Sequence, residues 1–237
     1  MSINLVSRLT EDTWFYKELK YQEELKPFLG KPYISYSTME SWLEYTEDFI
    51  KEKLVGLPQQ PGAYKEFGSY LGHAYEHGEF PTDNPRGFTG QENINFDDIR
   101  HPDAEYEKLI IIDMGEYFIV GFIDKFLRLE DGVWINDLKT LGKDKEKKYQ
   151  GEDYTQVVLY SYALEQKGEK IKRTDVLAVR REGSHVNPPL KISKEQFYIP
   201  LEYNEDRVKF ALDKVDKAVK GISEIKTVYD KFFGKKE

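Results

Sequence analysis

Cysteine is absent from this 237-residue chain, and histidine occurs four times, at positions 73, 77, 101 and 185. The first absence removes disulfide frameworks, thiol nucleophiles, iron–sulfur clusters and cysteine-ligated zinc. The scarcity of histidine leaves carboxylates as the more available metal ligands, which favours hard cations such as Mg²⁺ or Mn²⁺. No apolar run approaches the ~20 residues of a bilayer span. The opening Met1-Ser2-Ile3-Asn4-Leu5 lacks the basic start and apolar core of a signal peptide. The chain is therefore read as cytoplasmic, with no membrane partner. A Walker A pattern, G-x-x-x-x-G-K-[ST], is also missing, so no ATP site is encoded. Basic residues number 35 against 43 acidic ones, a formal charge of −8. That balance argues against a protein that coats nucleic acid by neutralising phosphates. It leaves room for an enzyme in which a basic track and a carboxylate cluster partly cancel.

Aromatic residues make up 14% and apolar residues 39%, enough to build a core and to argue against disorder. Ser37-Thr38-Met39-Glu40 reads as a capping box ahead of an amphipathic helix to about Leu54. A second helix spans about 63–78. Residues 81–104, rich in Pro, Asn, Asp and Gly, read equally as a substrate-facing flap or a padded surface loop with a short helix. From residue 108 the texture becomes β: Lys108–Met114, Tyr117–Leu129 and Val133–Leu138 form a meander, with Asp131-Gly132 as its second turn. A helix over Asp153–Gln166, strands at Thr174–Arg181 and Gln196–Leu201, and a long helix from Asn204 follow. This order predicts an α/β fold with a central mixed sheet flanked by helices. One domain over 1–237 accounts for it: a helical part at about 1–60, a core at about 61–203 and a C-terminal helix at about 204–232.

The chemistry concentrates at Gly121-Phe122-Ile123-Asp124 and Asn136-Asp137-Leu138-Lys139-Thr140. A hairpin centred on Asp131-Gly132 sets residue 124 opposite 139, and alternation along strands then puts Asp124, Asp137 and Lys139 on one face. Two clustered carboxylates repel unless a cation joins them, and a lysine beside them can orient or activate a water. Metal-assisted phosphodiester hydrolysis uses such a set. The same triplet is also compatible with an ion pair on an exposed sheet edge.

With Gln156-Val157-Val158-Leu159-Tyr160 downstream, these blocks resemble the PD-(D/E)XK nucleases, in the RecB-like and phage-type exonuclease branch. The resemblance spans about 33–181 and implies a restriction-endonuclease-like core. It also implies a third metal-site residue on the helix before the sheet. Phe67-Gly68 through Tyr75-Glu76-His77-Gly78 fits the phage-type form F-G-x-x-x-x-x-x-L-E-x-G and points to Glu76, with His73 as the reserve. Tyr33-Ile34-Ser35-Tyr36-Ser37 resembles the segment leading into the branch's first helix. The implied catalytic set is Glu76, Asp124, Asp137, Lys139, Gln156 and Tyr160, with one or two Mg²⁺ or Mn²⁺ ions on Glu76, Asp124 and Asp137. The implied activity is that of a DNA-hydrolysing recombination or processing exonuclease. Its partners would be DNA and a single-strand annealing or other recombination protein, and its location a host cytoplasm if the source is viral. A structure-specific or nicking endonuclease, or an idle nucleic-acid-binding subunit, are the alternatives. Lys143, Lys145, Lys147, Lys148, Arg180 and Arg181 are candidate phosphate contacts. Tyr149 and Tyr154 are candidates for stacking on bases.

Overall fold

The structure is a computed structural model that describes residues 3–58, 62–142, 146–151, 153–184 and 189–234. In chain order the N-terminal elements are β1 (Ser7–Arg8), α1 (Trp14–Lys17), α2 (Leu19–Leu25), β2 (Pro32–Ser35), α3 (Tyr36–Glu44) and α4 (Thr46–Phe49). Next come α5 (Ala63–His77), α6 (Phe96–Ile99), β3 (Glu105–Asp113), β4 (Phe118–Leu129) and β5 (Gly132–Leu141). The chain continues through α7 (Glu146–Gln150), α8 (Gln156–Gln166), β6 (Ile171–Glu182), β7 (Lys191–Pro200) and α9 (Glu205–Phe233). The strands follow the order β1-β2-β4-β5-β6-β7, with β3 also on β4. The sheet is mixed: β2–β4 and β5–β6 are parallel, while β1–β2, β4–β5 and β6–β7 are antiparallel.

Two compact units emerge, Met1–Gln59 with Leu109–Gly121 and Lys209–Glu237, and Gln60–Lys108 with Phe122–Val208. In the first, the expected long helix from Met39 is broken. Tyr45 leaves helical backbone (φ −137°, ψ 48°), and the chain resumes as α4 and a π turn over Ile50–Leu54. The N-cap is Ser35, not Ser37: its hydroxyl accepts the Thr38 N–H at 3.2 Å. The residues just before it, expected only to lead into a helix, form β2. Short strands with two or three pairing partners carry little periodicity, which hides them from pattern reading.

The second unit holds the chemistry. Phe67, Tyr70, Leu71 and Tyr75 of α5 pack against Leu138, Leu177, Val179 and Ile192 of the sheet. Each such burial is worth about 1.5–3 kcal/mol, so together they fix the helix over the strands. Gly78 ends α5 at φ +80°, where a Cβ would collide with the Arg100 guanidinium. Residues 81–104 are an anchored loop with a short helix, not an open flap. Phe88, Ile94 and Ile99 lie in the same core cluster, and Thr89 bridges to Lys191 of β7. Helix α8 is buried on most sides, through Val157, Val158, Leu159, Tyr160, Ser161, Ala163 and Leu164. Among the described residues, no helix is long and apolar enough to cross a membrane.

Candidate active site

The β4–β5 hairpin closes on Glu130 and Asp131, with Leu129 opposite Gly132 and Lys125 opposite Asn136. The register is two residues away from that expected, so residue 124 aligns with 137 and not with 139. A two-residue shift preserves the face, because side chains alternate with period two. Gly132 opens β5 where a Cβ would collide with the Lys170 carbonyl, so glycine alone fits there. Backbone pairing reaches Lys125↔Asn136. One step further, the Asp124 carboxylate accepts the Leu138 N–H at 2.6 Å in place of a ladder bond. The opening of the hairpin is thus held by a side chain.

Asp137 is 2% exposed. Its Oδ2 accepts from the Lys139 ammonium and the Tyr154 hydroxyl, each at 2.7 Å. Gln156, at the first turn of α8, accepts from Lys139 at 3.2 Å and donates to the Tyr160 hydroxyl at 3.3 Å, and its carbonyl lies 3.2 Å from the Tyr154 hydroxyl, whose single proton goes to the nearer Asp137. Five side chains from β5, α8 and the segment before α8 form one network. Arg207 steadies that segment by donating to the carbonyls of Gly151 and Tyr154 at 3.3 and 2.9 Å. Tyr154 is 2% exposed, which rules out base stacking and makes it a partner of Asp137. Sequence reasoning missed this role; its place two residues before Gln156 was the available signal.

A cavity of about 360 Å³ opens beside this network, lined by Lys65, Gly68, Ser69, Gly72, Tyr75 and Glu76 from α5. Glu107, Asp124, Leu138, Lys139, Thr140 and Tyr149 complete the wall. Residues 65, 68, 69, 72 and 76 fall at helical spacing, so one face of α5 bounds the space. Glu76 is on that wall. His73 is exposed, is absent from the wall, and sits with its ring 4.2 Å from that of His77. The reserve ligand is therefore not brought to the site. Glu107 is, although no motif pointed to it.

The charges are tightly coupled. Burial, then the neighbouring Asp137 carboxylate, push the Asp124 carboxyl well above the usual carboxylate range. Burial alone would lower the Lys139 ammonium, but Asp137 and Asp124 outweigh it and hold the group above its ordinary value. Burial raises the Tyr160 phenol, reinforced by Asp137. Lys139 is thus an ammonium at neutral pH.

The residues fit a hard divalent cation on one observation: Asp137 Oδ1 is buried and accepts no hydrogen bond among the described residues. A buried carboxylate oxygen without a donor is costly, and a cation beside Asp124 would satisfy it. Among the described residues, no three His, Asp or Glu side chains are gathered closely enough to hold a metal ion by themselves. The fold offers a carboxylate pair, not a closed cage. That suits Mg²⁺, which keeps several of its own waters.

The candidate phosphate contacts divide. Lys147 and Lys148 are exposed on α7, while Lys143 and Lys145 lie outside the described residues. Arg180 is already paired with Glu146 and with Glu195, the latter at 2.6 Å. Arg181 donates to the Thr140 carbonyl at 2.9 Å and stacks on Tyr64, 4.3 Å from its ring centre. Two carboxylates already neutralise Arg180, and Arg181 buttresses the strand that carries Lys139.

Comparison with solved structures returns a candidate exonuclease from Eubacterium rectale, at TM-score 0.53 and 18% identity, over 91% of this chain and 88% of that one. At that identity the likeness concerns the fold. The crystal structure of SSO0001 aligns at TM-score 0.38 and 18% identity over 86% and 85% of the two chains, too distant to add to the argument. No curated protein matches the sequence. A family profile matches residues 38–231, a span that contains α5, both carboxylate strands and α8. With the fold of the sheet and the Asp124, Asp137 and Lys139 arrangement it encloses, that match places the chain in the PD-(D/E)XK nuclease superfamily.

Proposed function

We propose that this nuclease is a Mg²⁺- or Mn²⁺-dependent deoxyribonuclease of the phage-type processing exonuclease kind, with Asp124, Asp137 and Glu76 serving the cation and Lys139 the attacking water. The observation that carries the reading is the Asp137 carboxylate, one oxygen bound by Lys139 and Tyr154 and the other buried without a donor among the described residues. The presence of Glu76 on the cavity wall, with His73 turned out to solvent, supports the phage-type form of the site.

An ammonium has three hydrogens to donate. Asp137 and Gln156 take two from Lys139, and the third remains for an attacking water or a phosphate oxygen in the cavity. Lys139 orients or activates the water and offsets charge that develops on the phosphate. Gln156 is fixed in turn by Tyr154 and Tyr160, so the ammonium is aimed before substrate arrives. Asp124 and Asp137 would hold the divalent cation, which supplies Lewis-acid charge to the phosphoryl oxygens. Gly68 and Gly72 keep one wall low. Among the described residues, a Cβ at Gly72 would meet nothing within 4 Å, and at Gly68 only Thr140 at 3.9 Å. The space therefore belongs to substrate and not to packing.

Digestion of linear, nicked and closed-circular DNA, and of RNA, with Mg²⁺ and with EDTA tests the reading. Progressive loss of the linear form alone, blocked by EDTA and by Asp137→Asn, is the expected result. Linearisation of closed circles would make the enzyme an endonuclease, and cleavage of RNA alone would overturn the substrate assignment.

A further inference from the structure

Glu76 is the penultimate residue of α5, so the turn that presents it to the cavity is the helix's last. The last four carbonyls of a helix have no intrahelical donor, and terminal turns open at little cost in free energy. The Glu76 side chain does little to hold itself. Among the described residues its carboxylate has one ionic neighbour, the exposed His77 ring at 3.5 Å. The turn is secured from outside the helix. On the strand side, the Tyr75 hydroxyl donates to Asn136 Oδ1 at 2.8 Å, and both residues are buried. On the loop side, the Arg100 guanidinium donates to the Glu76 carbonyl at 2.8 Å.

Arg100 is itself firmly placed. Its backbone N–H closes α6 on the Phe96 carbonyl at 2.8 Å. Its neighbours are tied on both sides: Lys125 donates to the Ile99 carbonyl at 3.0 Å, and the His101 N–H donates to the Tyr106 hydroxyl at 2.9 Å. The guanidinium lies 4.6 Å from the Tyr106 ring centre, and that ring packs edge-on against Tyr75. Glycine at position 78 leaves the guanidinium its space, since a Cβ there would fall on it. Among the described residues Arg100 forms no ion pair with a carboxylate; its charge faces the negative end of the α5 dipole instead. We propose that Arg100 is a positioning residue of the site: from the 81–104 segment it clamps the last turn of α5 and so holds Glu76 on the cavity wall. The proposal rests on the reading above that Glu76 serves the cation. It gives that segment a part in the chemistry although none of its residues lines the cavity. Tyr75 ties α5 to the sheet independently, so loss of Arg100 should loosen the end of the helix and leave the fold.

Calorimetric titration of the DNA-free, full-length protein with Mn²⁺ tests it on wild type, Arg100→Ala, Arg100→Lys, Glu76→Gln and the double variant Arg100→Ala/Glu76→Gln. Arg100→Ala should weaken Mn²⁺ binding by about 10- to 100-fold, as for outer partners of metal ligands, with the number of sites per chain unchanged. Arg100→Lys keeps a charged donor at the helix end and should lose less. On the Glu76→Gln background, removal of Arg100 should add no further loss, because residues that act as one unit are not additive. A merely structural role would behave differently. It would lower the number of competent sites at unchanged affinity, or weaken binding equally on both backgrounds. Either result, or wild-type affinity in Arg100→Ala, would overturn the proposal and make Arg100 a helix cap only. If Arg100→Ala fails to fold, Arg100→Lys, alone and with Glu76→Gln, carries the same comparison. Wild-type affinity in Glu76→Gln would instead remove the reading of Glu76 on which the proposal stands. No Mn²⁺ binding by wild type up to millimolar concentration would remove the metal reading and the proposal with it.

Discussion

Tyr154 and Lys139 donate to the same oxygen of Asp137, each at 2.7 Å, and both also reach the side-chain carbonyl of Gln156. A phenol and an ammonium thus frame one buried carboxylate and leave its second oxygen for a cation. Tyr154→Phe deletes one donor without changing shape. It should lower cleavage by about 10- to 100-fold, as for other outer partners of metal ligands. It should also cost roughly 1.5–3 kcal/mol of stability, as for a hydrogen bond to a charged group. Urea unfolding beside a cleavage assay measures both, and an unchanged rate would make Tyr154 a packing residue.

Asp124 gives the metal-free protein a pH signature. Its carboxyl titrates above its ordinary value of 3.8 because of burial and the charge of Asp137. The folded chain therefore keeps a proton that the unfolded chain has already lost. The stability this contributes is complete below 3.8 and disappears as pH rises through the folded value. In EDTA, the difference in melting temperature between wild type and Asp124→Asn should move against wild type across that window. Parallel curves would mean that Asp124 is not perturbed. Mn²⁺ should reverse the trend in wild type, since a cation binds the ionised pair of the folded state.

Gly72 separates stability from function. Alanine fits the open space and removes the helix-interior cost of glycine, so Gly72→Ala should stabilise by about 0.5–1 kcal/mol. Gly72→Leu, projecting into the cavity, should fold equally well and lose most cleavage. If the leucine variant stays fully active, substrate does not pass along this face of α5.

Among the basic residues, the exposed Lys147 should behave unlike Arg180. Replacing Lys147 by alanine should reduce the salt dependence of DNA binding by about 0.9 for the lost phosphate contact. Arg180→Ala should leave that slope unchanged, because Glu146 and Glu195 already neutralise its charge, and should show its effect in stability. A change of slope for Arg180 with none for Lys147 would invert the assignment.

Much of this was legible in the amino-acid order. Alternating apolar stretches around Asp124 and Asp137 sufficed for strands, and the period-two rule put both carboxylates and Lys139 on one face even with the turn misplaced by one position. Helices α5 and α9 were readable within a few residues, because long amphipathic segments carry strong periodicity, and α8 was readable from its run of apolar residues. The tertiary structure alone decided the rest. It broke the helix expected to run from Met39 at Tyr45, and it set the hairpin register two residues from the expected one. It also turned Glu76, and not His73, into the cavity, and paired Arg180 with glutamates 34 residues before it and 15 after it. Tyr154 and Glu107 stand outside the motif residues themselves. The first reaches Asp137 across a loop, and the second reaches the cavity through a left-handed twist in its strand. Periodicity reports which face of an element a residue occupies. Which side chains then share a space depends on how separate elements pack, and no local pattern encodes that.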